Sequence, residues 1–252
     1  MGESGAFQAD ERAGGKALVR AVEIRGLHFS YPDGTVALRG IDLEVSAGES
    51  LGLIGCNGAG KSTLLLHLNG ILKGSAPVKI LGDEVSDKTL SRIRARVGMI
   101  FQDPDNQLFM PTVADDVGFG PVNMGMSREA VEQAVARALA QVDMLGFEER
   151  SPHHMSVGEK KRASIATVLS MRPEILALDE PSSNLDPRHR RDLINLLNSL
   201  ELTKIISSHD LGFVRETCTR VAVMDGGKIA TVGRTGEILG DGDLLKAAGI
   251  LV

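Results

Sequence analysis

Eight consecutive residues, Gly55-Cys56-Asn57-Gly58-Ala59-Gly60-Lys61-Ser62, do most to limit what this chain can fold into. They fit the pattern G-x-x-x-x-G-K-S/T. A short apolar strand pattern (residues 50–55) precedes them and a helix-forming stretch (62–72) follows. Glycines let the backbone wrap so that several N–H groups converge on phosphate oxygens. The helix that follows adds the positive end of its dipole. Lys61 then supplies a full charge to β- and γ-phosphates, and the Ser62 hydroxyl suits Mg²⁺. The plain alternative is a glycine-rich turn with an incidental lysine, and the flanking strand and helix argue against it. Cys56 reads as a small space-filling residue or as a thiol activated by the N–H groups around it.

A second constellation closes a buried-strand pattern. Ile175-Leu176-Ala177-Leu178 is apolar and runs into Asp179-Glu180-Pro181. Carboxylates at the C-terminal end of a central strand lie where open α/β sheets bind ligands. Asp179 can orient Mg²⁺ through its water shell, and Glu180, pointing the other way, can polarise an attacking water. Two solvated acids at a strand end is the bland reading, weakened by the phosphate loop elsewhere in the same chain.

Around these motifs, strand and helix patterns alternate, which favours a mostly parallel sheet covered by helices. Residues 1–17 are rich in Gly, Ala and charge and read as a mobile tail; 18–252 read as one domain. Residues 19–45 alternate like two antiparallel strands around a Pro32-Asp33-Gly34 turn. From about 103 to 170 the chain reads as an inserted helical lobe. It opens with an irregular, proline-containing loop, then a helix N-capped by Ser127, then a helix over 157–170. The charge balance, 33 acidic against 28 basic residues, argues against nucleic acid as a partner. Two cysteines cannot staple a disulfide scaffold, and no apolar run reaches the ~20 residues of a membrane helix.

Met155-Ser156-Val157-Gly158-Glu159-Lys160-Lys161-Arg162 resembles the signature motif of ABC-type ATPases, usually written LSGGQ. Other elements of that family follow in order. Tyr31 matches the aromatic position that stacks on adenine, and Gln102 matches the Q-loop glutamine. Ser183-Asn184-Leu185-Asp186 matches the D-loop, and His209 matches the switch histidine. The resemblance implies an α/β fold: a P-loop ABC ATPase cassette with a mostly parallel core sheet, an N-terminal antiparallel β sub-lobe and an inserted helical lobe. It implies ATP and Mg²⁺ as cofactors. Tyr31, Asn57, Gly58, Ala59, Gly60, Lys61, Ser62, Thr63 and Gln102 would hold ATP, with Ser62, Gln102 and Asp179 at Mg²⁺. Glu180, His209 and Lys61 would be catalytic.

The resemblance also implies a head-to-tail dimer with a second copy of the chain. Ser156, Val157, Gly158 and Glu159 of one copy then cap the γ-phosphate held by the other, and the D-loop lies in the interface. Val157 stands where the first signature glycine usually lies, which is harmless if the residue is already helical. Glu159 replaces the usual glutamine and brings a negative charge that Lys160, Lys161 and Arg162 are expected to offset.

The run Phe101-Gln102-Asp103-Pro104-Asp105-Asn106-Gln107-Leu108-Phe109, with Thr112-Val113 and Asp116-Val117, resembles the energy-coupling-factor (ECF) importer ATPases. Residues 154–193 most resemble the cobalt and nickel members. This implies a peripheral subunit at the cytoplasmic face of the membrane. Its partners would be a membrane-embedded coupling protein and a substrate-binding membrane subunit. Asp103 and Asp105, with Asp115 and Asp116, form an expected acidic face able to receive arginines of the coupling protein; a merely solvated face is the alternative. His153 and His154 are expected to be exposed or packed in the lobe, Cys218 to pack in its helix, and His28, His67 and His189 to form no constellation.

Overall fold

The structure, a computed structural model, describes residues 19–251, so the expected tail at 1–17 lies outside the described residues. Strands β1 (Arg20–Ser30) and β2 (Val36–Ser46) pair antiparallel across a tight turn. Gly34 takes φ +87° there, and the Asp33 carboxylate accepts the Thr35 N–H at 2.9 Å. β3 (Ser50–Ile54) runs into the glycine loop and α1 (Lys61–Leu68). The helix stops four residues short of the expected 72. Gly70 enters the left-handed region at φ +68°, and the N–H groups of Ile71 and Leu72 both turn back to the Leu66 carbonyl.

Two short strands, β4 (Val78–Ile80) and β5 (Asp83–Glu84), complete a four-stranded antiparallel sheet in the order β2-β1-β4-β5. A helix not anticipated from the sequence, α2 (Leu90–Arg96), leads into β6 (Val97–Ile100). The stretch expected as irregular loop holds another, α3 (Val113–Asn123), capped by the Thr112 hydroxyl and carrying Pro121 inside it. α4 (Arg128–Gln141) begins at the Ser127 cap as expected, and α5 (Val157–Leu169) begins at Ser156.

The remaining elements alternate regularly. They are β7 (Ile175–Asp179), α6 (Pro187–Ser199), β8 (Thr203–Ser207) and α7 (Leu211–Thr217). The hairpin β9 (Arg220–Asp225) and β10 (Lys228–Arg234) follows, then α8 (Thr235–Ile238) and α9 (Gly242–Ala247). The larger sheet has six strands in the order β10-β9-β3-β8-β7-β6, parallel except for β10.

Its strands are apolar on both faces because both faces are covered. Along β7, Ile175 and Ala177 join one core, shared with α1 and the antiparallel sheet. Leu176 and Leu178 join the other, shared with α3 to α7. β9 splits the same way, with Ala222 and Met224 against Val221 and Val223. The contact between β6 and α5 has no slack: a Cβ on Gly98 would lie 1.9 Å from Val168. Among the described residues no helix is long and apolar enough to cross a membrane. The fold class expected from the sequence is the one observed.

Candidate nucleotide-binding site

The glycine loop is shaped by close approach. A Cβ on Gly55 would lie 2.2 Å from the Met224 carbonyl oxygen. One on Gly60, at φ +100°, would lie 2.7 Å from that of Ala37. Gly60 caps α1 without a side-chain hydrogen bond, which leaves the N–H groups of the first helical turn for an anion. Lys61 is buried and folds over the loop, its amine donating to the carbonyls of Gly55 at 2.8 Å and Cys56 at 3.1 Å. Ala59 departs from the expected role. Its side chain is in the core, and its N–H is committed to the Cys56 carbonyl.

The loop floors a cleft of about 670 Å³. Asn57, Gly58, Gly60, Lys61, Ser62 and Thr63 line it, and Gln102, Glu180 and His209 face them. Tyr31 stands at one wall, its hydroxyl 2.9 Å from that of Thr63 and its ring edge-on to Phe29. Two walls were not legible in the sequence: Thr35 to Ala37 from the first turn, and Gly249 with Ile250 from beyond α9. The exposed Cys56 meets this second wall, its thiol donating to the carbonyls of Gly249 at 3.0 Å and Ala248 at 3.4 Å.

Both strand-end acids are buried. Asp179 accepts the Ser207 hydroxyl, and the Glu180 carboxylate contacts His209 Nδ1 at 2.8 Å. Glu180 has φ +45°, a left-handed conformation that costs a non-glycine residue energy and persists only where neighbours hold it. Its N–H is bound by the backbone and hydroxyl oxygens of Ser207, both at 3.1 Å. Its carbonyl accepts from the N–H and hydroxyl of Ser183. The D-loop continues through Asn184, at φ +61°, to Asp186, which caps α6.

Ser156 to Glu159 lie outside the cleft. The Ser156 hydroxyl accepts the Glu159 N–H, and the Glu159 carboxylate accepts the Ser156 N–H at 2.8 Å, a reciprocal capping box. These bonds hold the Glu159 carboxyl below the usual carboxylate range. Of the basic followers expected to offset Glu159, Arg162 does so and the two lysines do not. Lys160 pairs with Asp105 at 2.6 Å, and Lys161 is buried against Gln102, Glu180 and Ser183. Arg150, at 3.9 Å, is the closest cation to Glu159, with Arg162 contributing from further away. Val157 is already helical and keeps its side chain exposed.

Two further expectations are corrected. Asp116 does not belong to an acidic face. It is buried, binds the N–H groups of Phe109 and Met110 at 3.0 Å, and burial raises its pKa. His189 is not isolated: its ring lies 2.7 Å from Asp186 and would be 2.4 Å from a Cβ on Gly158. His67 is buried against the Thr63 carbonyl, with its other ring nitrogen unpartnered. His153 and His154 are exposed, and Cys218 is buried, its thiol pushed up to about 11 by desolvation. Asp103 caps the short turn at Pro104–Asn106.

A glycine-rich loop between strand and helix, facing an acidic strand end and a histidine across one cleft, defines a phosphate-loop nucleotide-binding ATPase cassette. The ABC transporter family matches residues 38–183. The chain belongs to that family, as an ATP-binding subunit. The energy-coupling factor transporter ATP-binding protein EcfA of Methanothermobacter thermautotrophicus is 48% identical over 91% of this chain and 76% of its own length. EcfA of Methanococcus maripaludis is 46% identical over 91% of this chain and 84% of its own length. Among solved structures, cbiO1 from Clostridium perfringens, described as part of the ABC transporter complex cbiONQ, superimposes with TM-score 0.80. It is 36% identical, over 92% of this chain and 95% of that one.

Proposed function

We propose that this chain hydrolyses ATP to power an ECF-type importer of a micronutrient, specifically cobalt or nickel ions. The observation that carries the ATPase assignment is the single cleft uniting Lys61, Gln102, Glu180 and His209. Lys61 and the free N–H groups at the start of α1 hold the β- and γ-phosphates, and Tyr31 stacks on adenine. Ser62, Gln102 and Asp179 offer only oxygen donors, which fits Mg²⁺. When bound there, Mg²⁺ would supply charge neutralisation at the phosphate oxygens. Glu180 orients and polarises the attacking water, and His209, held by Glu180, contacts the γ-phosphate.

Ser156 to Glu159 act on the nucleotide of a second copy, with Ser183 to Asp186 in the interface. Two nucleotides then bridge a closed dimer and not an open one, so ATP shifts the pair toward closure. Residues 18–252 form this one ATPase domain, with the helical lobe at about 103–170. The membrane partners are a coupling protein and a substrate-binding subunit, met at the cytoplasmic face. Their seat is the lobe that follows Gln102, which carries Asp103 and Asp105 and where Phe109 and Phe119 pack edge-on yet remain exposed. The metal substrate is favoured by the cbiO1 likeness and the 154–193 run. A vitamin-type ECF importer, or a soluble ABC protein outside transport, is the competing reading; EcfA, at 48% identity against 36% for cbiO1, is described as an energy-coupling factor protein with no substrate in its name.

The test is tracer uptake by cells lacking this chain, offered labelled cobalt, nickel or biotin and rescued with wild type or Glu180→Gln. Rescue of metal uptake by wild type alone supports the proposal. Metal uptake indifferent to the deletion removes the metal assignment.

A further inference from the structure

Lys161 of the signature helix is buried, and its surroundings are specific. It is 3% exposed, and its amine donates to three acceptors: the Gln102 carbonyl at 2.8 Å, the Ser183 hydroxyl at 3.2 Å and the Glu180 carbonyl at 3.3 Å. An ammonium has three protons, and each has a partner here. Burial still lowers its pKa, opposed by the nearby charges of Asp103, Glu180 and Asp179. A lysine this buried is rare unless its charge is compensated, so the three partners explain how the fold tolerates it.

The partners belong to two loops, Gln102 after β6 and Glu180 with Ser183 between β7 and α6. Gln102 brings its side chain to the cleft while its carbonyl is held from behind. Ser183 opens the D-loop, and its hydroxyl donates to the same Glu180 carbonyl at 2.8 Å. Lys161, Ser183 and the Glu180 carbonyl therefore close a triangle. That triangle clamps the peptide that follows Glu180, the residue in the left-handed conformation. Rotation of this peptide would swing the carboxylate away from His209, so the clamp sets the direction of the acid. The amine does this from α5, whose first turn is capped by Ser156 and Glu159.

We propose that Lys161 is a positioning residue for hydrolysis: from the signature helix it holds the Glu180 backbone, the D-loop and the Q-loop in one register. This rests on the assignment of Glu180 as the group that activates water. Lys161 touches no substrate and acts only through Glu180 and Gln102. Its loss should lower turnover and leave nucleotide affinity nearly unchanged, because Lys61 and the loop N–H groups are untouched. An amide at this position can still donate two hydrogen bonds, whereas a thioether can donate none.

The experiment compares steady-state ATPase kinetics of the full chain as wild type, Lys161→Met, Lys161→Gln, Ser183→Ala and Glu180→Gln, with thermal midpoints for each. Lys161→Met is expected to lower kcat about 10- to 100-fold, the scale for a misplaced catalytic group, with KM for ATP within about threefold. Lys161→Gln should recover most of the loss, and Ser183→Ala should show a smaller loss in kcat of the same kind. If Lys161→Met does not fold, Lys161→Gln and Ser183→Ala carry the test. The proposal is overturned if kcat stays within about twofold in the folded variants, or if Gln fails to rescue and KM rises with a falling thermal midpoint. If Glu180→Gln itself turns over like wild type, the assignment of Glu180 fails instead, which separates the two ideas.

Discussion

The glycine-loop cleft and the signature turn are both helix N-termini, and they are finished in opposite ways. At α1 the cap is a glycine with no side chain to offer, and the loop in front of it opens into a cleft lined by groups from six separate stretches of chain. At α5 the cap is a serine whose hydroxyl, with Glu159, satisfies the first turn from within, and this turn lies outside that cleft. A helix start that is left uncapped above a cavity is prepared for a ligand. One that is capped and exposed is held in shape to meet something brought to it. The contrast supports a division of labour in which each chain carries one complete binding half and one half-site for its neighbour.

The largest effect should come from the cleft. Lys61→Ala should lower kcat/KM about 10³-fold, the scale for removing a preorganised charge, and weaken nucleotide binding by the single chain as well. A fluorescent ATP analogue titrated against dilute protein checks the binding half. Gly158→Val strikes the other helix start, pushing against the His189 ring. Turnover should fall about 10²-fold, while nucleotide affinity of the single chain stays within about twofold because the cleft is remote. Equal loss of binding in the two variants would erase the distinction between the two halves.

Smaller effects sharpen it. Ser156→Ala removes the cap and should cost about 0.5–2 kcal/mol of stability, read as a lowered thermal midpoint. The same change should alter the acid limb of stability. Glu159 has a folded-state pKa below its ordinary 4.5. Its contribution is therefore present above about 4.5 and is lost as pH falls through the lowered folded value. In Ser156→Ala that loss should shrink, and thermal melts between pH 6 and 3 would show it. Smallest of all, Cys56→Ser should keep kcat/KM within about twofold, since a hydroxyl can still donate to Gly249. A bulky maleimide on wild-type Cys56 should block turnover, and MgATP should protect against it.

What was legible in the sequence was what is contiguous. The phosphate loop, the acidic strand end and the signature are each written in a few neighbouring residues, and the structure gathers the loop and Glu180 into one cleft. α3 was missed because Gly118, Gly120 and Pro121 break its helical pattern, and its stability comes from packing on α4 and α5 rather than propensity. Lys161 was misread for a different reason. Nothing local separates a buried lysine from a solvated one when its partners lie 19, 22 and 59 positions away. The wall at Gly249 and Ile250 has the same origin, lying 193 positions from the thiol it meets.

The strand that carries the glycine loop has an order of assembly built into it. β3 pairs only with β8 and β9, both of which lie some 150 or more residues further along the chain. During synthesis at about 5–20 residues per second, its two edges wait on the order of ten to thirty seconds for neighbours. Through that interval the nascent chain holds an apolar strand with no sheet to join. The loop between β3 and α1 can then take its final shape only after β8 and β9 have emerged. Nucleotide capture would thus double as a sign that the central sheet has closed, and chaperones would have their longest opportunity on the segment between residues 50 and 203.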